Sequence, residues 1–328
     1  MVIRLGAIGD SFVAAAVFPG LKAKGYHLTV SCNPGTAEVL RHDPYVDEFL
    51  VQGKDFVPNA ALGPFWEAFS ERYDCIVNLS ESVEGLLLAL PGRLNHTYSH
   101  AARRRVVGHI NYLEHTANIA DVPYEFSNSR FHATESEIRW SNAVRKRMDG
   151  PVVVWCVNGS SAHKVYPYIH IVTKWLLERT TAHVVLYGDP DVGRALSAGI
   201  VECLTQDGAD MSRVLVVADK WKIRQSLAFA KLADVMVGPE TGPMNAVAME
   251  DFAKVIYLSH SSSANLTKHW RNTVTIEPIK TPCFPCHMLH YDWTHCNKNE
   301  ETGAAACASS ITPERVFEAI AKALVAKE

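Results

Sequence analysis

The sequence predicts an α/β protein built from doubly wound parallel sheets, and three observations carry that prediction. Short β-branched runs alternate with stretches of helical periodicity. Runs such as Val152–Val157 are apolar throughout, as strands covered on both faces must be. The alternation restarts near residue 150, after the turn-like Met148-Asp149-Gly150-Pro151. The 328 residues therefore divide into two doubly wound units, 1–150 and 151–328.

In the first unit Val2–Leu5 reads as a strand, Gly6–Gly9 as a tight turn and Ser11–Lys24 as an apolar helical stretch. Leu28–Cys32, Phe49–Val51 and Cys75–Leu79 read as further strands. Trp66–Arg72 and Asn111–Ala120 read as helices. In the second unit strands are expected over Val152–Val157, His183–Tyr187, Val235–Val237 and Ala253–Leu258. Helices are expected over Ile169–Arg179 and Arg224–Ala233. Pro313–Lys327 is a terminal helix, with Thr312 as N-cap and Pro313 at the first position, where its missing N–H costs nothing. The chain shows no internal repeat and no low-complexity tract.

Composition narrows the function classes. Hydrophobic residues make up 48%, enough for a sizeable core. A net charge of −3 argues against a general nucleic-acid binder, and Arg103-Arg104-Arg105 reads as the solvated end of a strand. No apolar run approaches the ~18 residues that span a bilayer. Phe12–Phe18 is too short, and too close behind Asp10, for a signal peptide. Cys32, Cys75, Cys156 and Cys203 are scattered in apolar contexts and read as reduced core residues, so the expected location is cytoplasmic.

Four segments can carry chemistry. Arg4-Leu5-Gly6-Ala7-Ile8-Gly9-Asp10 puts Asp10 at the C-terminal edge of a sheet, where open α/β folds bind ligands. Capping of the following helix is the alternative role for Asp10, and the two coexist. The glycine spacing is not G-x-G-x-x-G, so no dinucleotide fingerprint is present. Asn158–Lys164 follows the strand Val152–Val157. Its Ser160, Ser161 and Lys164 suit a phosphate, and an ordinary polar loop is the alternative. In Gly238–Asn245, Gly242 lets backbone approach a ligand closely, and Pro243 suits a first helical turn. Its N–H groups would face an anion, helped by the helix dipole, and a capped helix start with no ligand is the alternative.

The fourth segment holds Cys283, Cys286, Cys296 and Cys307, half of the eight cysteines, spaced C-x2-C-x9-C-x10-C. Four thiolates at such spacing can enclose one metal ion tetrahedrally, zinc or iron. A closed four-sulfur shell is structural, because it leaves no position for substrate. His287, His290 and His295 are alternative ligands, and free or disulfide-bonded cysteines are the alternative reading. Phe284, Tyr291 and Trp293 are expected to cover the site or pack on the domain.

In this order the motifs resemble those of the ADP-heptose heptosyltransferases of bacterial lipopolysaccharide synthesis. The matching residues are Arg4–Asp10, then Ser160–Pro167 with Trp175 following, and Val237–Asn245. The stretch Pro282–His290 resembles a narrower branch, the autotransporter heptosyltransferases with an iron-binding finger, and carries the likeness to Thr312-Pro313-Glu314-Arg315. The resemblance implies a GT-B fold of two Rossmann-like domains facing a central cleft, with the acceptor on 1–150 and a nucleotide sugar, ADP-linked, on 151–328. It implies inversion without a catalytic metal, with Asp10 as base, Lys164 as the phosphate lysine and Thr241-Gly242 as the diphosphate loop. It favours iron in the finger over zinc. It also implies a terminal helix that often crosses back to the first domain.

Two positions depart from the commoner pattern. Glu240 stands where Asp is usual, and Asn245 where His is usual. Both are assigned next to the donor, so they put the identity of the sugar nucleotide in doubt. The acceptor implied is a saccharide or protein hydroxyl, with a modified nucleic acid as the less favoured partner. A sugar-nucleotide epimerase of similar architecture and a non-catalytic metal-finger module are the competing readings. A homo-oligomer is compatible with the sequence, which does not set the number of subunits.

Overall fold

The computed structural model describes residues 1–53, 61–79, 110–288 and 293–326. Arg103-Arg104-Arg105, His290, Tyr291 and the end of the expected terminal helix at Lys327 lie outside them. Two wholly parallel sheets organise the chain, as the unbroken apolar runs require. The first contains β1 (Val2–Arg4), β2 (Thr29–Cys32), β3 (Glu48–Val51) and β4 (Val77–Asn78), in the order β3-β2-β1-β4. The second contains β5 (Val152–Cys156), β6 (His183–Tyr187), β7 (Val214–Val216), β8 (Val235–Gly238), β9 (Ala253–Tyr257) and β10 (Thr273–Ile276). Its order is β10-β9-β8-β5-β6-β7.

Strand order decides where a ligand can sit. β1 lies between β2 and β4, and β5 lies between β6 and β8. At each of these strands the chain reverses its direction across the sheet. The loops beyond their carboxyl ends diverge there and leave a crevice. The motif at Arg4–Asp10 follows β1, the one at Asn158–Lys164 follows β5, and the one at Gly238–Asn245 follows β8. All three sequence motifs thus fall beside a switch point.

The helices in chain order are α1 (Ile8–Ala15), α2 (Phe18–Ala23), α3 (Pro34–Leu40), α4 (Leu62–Ser70), α5 (Tyr112–Ala120) and α6 (Glu135–Arg145). They continue with α7 (Ile169–Arg179), α8 (Val192–Gln206), α9 (Ile223–Ala230), α10 (Gly242–Ala246), α11 (Ala306–Ser309) and α12 (Pro313–Val325). The single helix expected over Ser11–Lys24 is two helices. Pro19 has no N–H to donate, and its ring would clash with the carbonyl four residues back, so the chain breaks at Ala16-Val17 and Pro19 enters the first turn of α2. α1 also starts earlier than expected, which puts Asp10 inside its first turn.

Every residue of β5 is buried. The indole of Trp155 is fully enclosed and donates to the Tyr257 hydroxyl at 3.2 Å, so its one polar atom is satisfied. α7 and α12 cover the outer face of the second sheet through Val172, Leu176, Val316 and Ile320. In α12 the apolar residues recur at the i, i+4 spacing that faces one side. Thr312 occupies the N-cap position and Pro313 the first turn, but the Thr312 side chain makes no capping bond. α12 packs on α7 and the β8–β10 edge of the second sheet. The family's crossing back to the first domain is not seen among these contacts.

Two buried side chains tie the first 150 residues to the rest. Asn111 caps α5, accepting from Leu113 N at 3.0 Å, and its amide donates to the carbonyls of Ala264 and Asn265 at 3.0 and 3.1 Å. Arg224 in α9 reaches Glu137 in α6 at 2.7 Å and the Val39 carbonyl at the end of α3 at 3.0 Å. No helix among the described residues is long and apolar enough to cross a membrane.

Candidate functional site

The loops after β1, β5 and β8 converge on one cleft of about 600 Å³. Asp10, Asn158, Ser160, Lys164, Glu240, Thr241, Gly242, Pro243 and Asn245 line it, joined from other elements by Tyr112, Asp189 and His260. Ser161 alone of the proposed donor residues does not line this cleft. It caps the short turn Ala162–Lys164 through the His163 amide at 3.3 Å, and its hydroxyl also contacts His163 Nδ1.

Asp10 combines a local role with a place in the cleft. Its Oδ2 accepts from the Ala7 amide at 2.8 Å, reaching back to the helix start as a third-position acid does. Its Oδ1 lies 3.1 Å from Arg4 Nη2, and Arg4 is almost wholly buried at the end of β1. The carboxylate is therefore oriented by two donors and keeps 24% of its side-chain surface open.

Across the cleft the Lys164 ammonium donates to the Glu240 carbonyl at 2.7 Å. A Cβ on Gly159 would lie 2.6 Å from Lys164 Cδ, so glycine makes room for this arm. The Glu240 carboxylate is buried and turned into the Ser259–Ser261 turn. It accepts from Ser259 N at 2.9 Å, Ser259 Oγ at 2.8 Å and Ser261 Oγ at 3.2 Å, and lies 3.4 Å from His260 Nδ1. Burial opposes its ionisation, but His260, Lys164 and the Ser259 amide outweigh burial and hold it well below the usual carboxylate range.

Thr241 caps α10, accepting from Met244 N at 3.4 Å, with Pro243 in the first turn. α10 has only five residues, so the expected dipole contribution is small; Pro243 has no N–H, and the Met244 and Asn245 amides are bonded to Thr241. Gly242 also has a reason within the fold. A Cβ there would meet Ile8 Cγ2 at 2.9 Å and Gly9 N at 3.3 Å, so its close approach is to α1. Asn245 donates to the Thr241 carbonyl at 3.0 Å, and its buried Oδ1 has no hydrogen-bond partner among the described residues.

Sequence reasoning missed several cleft residues. Asp189 follows β6, accepts from Asn158 Nδ2, and takes the amides of Asp191 and Val192 at 2.9 Å each. Burial pushes its titration up, and these donors pull it lower overall. Its Gly188-Asp189 turn was a strand-end signal. The polar run Ser259-His260-Ser261 after β9 was another. Tyr112 carried no signal beyond its place in a helix.

The four cysteines line a second, smaller cavity of about 70 Å³, with His163, His260 and His295 on its walls. All eight cysteines are free thiols. Burial, reinforced by the neighbouring sulfurs, pushes Cys286 up to about 11 and Cys307 up to about 12. Burial thus disfavours the thiolate form of these two, and a cation among the sulfurs would supply the missing charge. The donor set therefore fits a thiolate-bound metal. Among the described residues, however, no three His, Cys, Asp or Glu side chains are gathered closely enough to hold an ion as they stand. Of the aromatics, Trp293 packs edge-on to His163 with ring centres 4.9 Å apart, and Phe284 packs on the main core.

No protein-family model and no curated protein matches the sequence. Solved structures do match the fold. The E. coli ADP-heptose lipopolysaccharide heptosyltransferase II superposes with a TM-score of 0.68 at 17% identity, over 99% of this chain and 98% of that one. A family 9 glycosyl transferase from Veillonella parvula gives 0.69 at 16% identity, over 99% and 96%. The iron-containing dodecameric glycosyltransferase TibC of enterotoxigenic E. coli gives 0.60 at 12% identity, over 100% and 76%. The chain thus has the two-sheet α/β fold of these GT-B glycosyltransferases.

Proposed function

We propose that the protein is an inverting glycosyltransferase that moves a sugar, a heptose on the closest reading of its motifs, from an ADP-linked donor to a saccharide or protein hydroxyl. The observation that carries this reading is the meeting of the three strand-end loops at one cleft, with Asp10 on one side and Lys164 with Thr241–Asn245 on the other. The likeness in fold to heptosyltransferase II and TibC supports it. Residues 1–150 would carry the acceptor and 151–328 the donor.

In this mechanism Asp10 accepts the proton of the acceptor hydroxyl as its oxygen attacks the anomeric carbon. Arg4 and the Ala7 amide orient the carboxylate for that proton transfer. The bond from the anomeric carbon to the diphosphate breaks, and its electron pair leaves with the diphosphate. Lys164 and the N–H groups at Thr241-Gly242 stabilise the charge that develops there. A single displacement inverts the anomeric centre. Ser160 and Asn245 are assigned to donor contacts. Ser161 is assigned to holding the loop, and Glu240 to holding the Lys164 arm.

Cys283, Cys286, Cys296 and Cys307 would hold one ion, iron in preference to zinc. When bound, it supplies a cross-link within the finger and offers no position to substrate. A cytoplasmic, reducing setting fits the eight free thiols.

The test is a screen of nucleotide sugars by thermal shift, followed by product analysis. A donor at 100 times its dissociation constant adds about 2.7 kcal/mol of stability. ADP-heptose should bind and yield an inverted glycoside when acceptor is present. Conversion of the sugar nucleotide without any acceptor would overturn the proposal in favour of an epimerase.

A further inference from the structure

His260 lines both cavities. It stands in the wall of the nucleotide-sugar cleft and in the wall of the four-cysteine cavity, and it is itself 6% exposed. On the cleft side its Nδ1 lies 3.4 Å from Glu240 Oε1, and its amide donates to the same oxygen at 3.3 Å. On the finger side its carbonyl accepts from the His287 amide at 3.0 Å, one residue beyond Cys286. His287 has φ 53°, a left-handed conformation that costs a non-glycine residue energy and is kept only where surroundings hold it. A second strut runs parallel. Trp293 of the finger packs on His163, one residue before Lys164.

The two struts end on the same pair of groups. The Ser259–Ser261 turn grips the Glu240 carboxylate, and the Glu240 carbonyl holds the Lys164 ammonium. Displacement of His260 by a few tenths of an ångström would move the acceptor on which Lys164 rests.

We propose that His260 is a positioning residue that couples the cysteine finger to the donor site, so that metal loading of the four thiols and nucleoside-diphosphate binding in the cleft strengthen each other. The inference rests on the reading of the cleft as a nucleotide-sugar site. It differs from a purely local structural metal, which would hold the finger and leave diphosphate affinity alone. Linkage makes the effect reciprocal. If the filled thiol shell tightens diphosphate binding, the diphosphate must tighten metal binding by the same factor.

The experiment uses full-length protein reconstituted with Co²⁺, whose absorption bands report the sulfur shell, and ADP as the probe. Calorimetry measures ADP binding independently of the spectrum. In the wild type ADP should change the cobalt–thiolate bands along the same isotherm that calorimetry gives. His260→Gln should keep one metal per chain, lose the ADP-dependent spectral change, and bind ADP about 10-fold more weakly, within the usual range of coupling between sites. His260→Asn is the second variant, should the longer side chain disturb folding. The wild-type titration needs no variant. ADP binding with a static cobalt spectrum would overturn the coupling and leave the cleft assignment standing. Absence of ADP binding by calorimetry would overturn the cleft assignment and the coupling with it. Loss of the metal in His260→Gln would overturn the positioning role, because His260 would then belong to the metal shell.

Discussion

Replacing Arg224 with Met should destabilise the protein by about 3 kcal/mol, at the lower end of the range for breaking a buried ion pair. Arg224 is 2% exposed and joins three elements. Its Nε and Nη2 meet the two Glu137 oxygens at 2.7 and 2.8 Å, and its Nη1 takes the Val39 carbonyl at 3.0 Å. Nη2 also reaches the His132 carbonyl at 2.8 Å, and the guanidinium lies 4.8 Å from the centre of the Phe131 ring. Met fills similar volume but satisfies none of these acceptors. Burial raises the Glu137 carboxyl, yet Arg224 and the Thr134 amide bring it down to about 2 from its ordinary 4.5. That difference corresponds to about 3 kcal/mol of preference for the ionised form in the folded chain. Glu137 keeps 15% of its side-chain surface exposed, so screening reduces the pair's share to about 2 kcal/mol. The abandoned backbone acceptors contribute about 1 kcal/mol more.

The sign of the pH dependence follows. Glu137 is depressed in the folded state, so its stabilisation is fully present above about 4.5 and is lost as the pH falls through about 2. The deficit of the variant should therefore be larger at pH 7 than at pH 3. Denaturant melts at both pH values, with Arg224→Met/Glu137→Leu completing the cycle, measure it. The double variant should recover part of the loss, because no buried charge is then left alone. If the chain melts as one unit, 3 kcal/mol lowers the midpoint by about 4–5 °C. A loss below about 1 kcal/mol at pH 7, or an equal loss at both pH values, would refute the assignment of the joint to this pair.

Asp10→Asn should abolish transfer, by about 10² or more, and leave ADP affinity within twofold of wild type in calorimetry. Turnover close to wild type would reduce Asp10 to its bond with the Ala7 amide. Lys164→Ala should weaken donor binding and lower the rate by about 10²–10³, read from initial rates over a range of donor concentrations. A donor KM and a kcat that both stay put would remove Lys164 from the diphosphate site. Cys286→Ser should lower metal content by elemental analysis and the melting temperature, while kcat at saturating donor is retained and the donor KM rises. Metal-free wild-type protein that stays folded with an unchanged donor KM would count against the finger assignment.

What the sequence made legible follows its local physics. The β-branched run Val152–Val157 and the helix Ile169–Arg179 were readable because burial on both faces and a 3.6-residue period leave plain patterns. α3 was missed because Asn33-Pro34-Gly35 reads as a turn. In the structure Asn33 accepts from Thr36 N at 2.8 Å and Pro34 opens the helix. α6 was missed although Thr134 and Glu137 form a capping box, because the helix is strongly polar and gives little apolar rhythm. α8 carries two glycines, Gly193 and Gly199, which hid its period. The edge strand β10 is short and alternates threonine with apolar residues, so no continuous apolar run marks it, whereas the run Val214–Ala218 over β7 was legible and was passed over. At the site, spacing alone pointed to the four cysteines and strand-end position alone to Asp10 and Lys164. The Ser259–Ser261 grip on Glu240 was not readable, because it joins residues 19 to 21 positions apart through tertiary geometry.

The seam between Gly9 and Gly242 explains how residues from two sheets can act on one bond. Each glycine opens a helix beside a switch point, α1 after β1 and α10 after β8. With no Cβ on Gly242, Ile8 and the Gly9 amide come within contact of its backbone. From the other side, a Cβ on Gly9 would lie 3.4 Å from Asn245 Nδ2 and 3.6 Å from Gly242 Cα. Two helix starts are thereby held in van der Waals contact, with Asp10 one residue beyond the seam on one side and Thr241 immediately before it on the other. On the proposed reading, attack and departure occur on opposite faces of one anomeric carbon. The base and the diphosphate donors must then face each other at a fixed separation, across roughly the width of a sugar ring. Long side chains reaching across a wide gap would carry rotamer freedom that must be lost in each turnover. Backbone contact at this seam sets that separation in the fold itself, and the 2.9 Å approach of Ile8 Cγ2 accounts for glycine at position 242, whereas a Cβ on Gly9 would meet its neighbours only at ordinary contact distance.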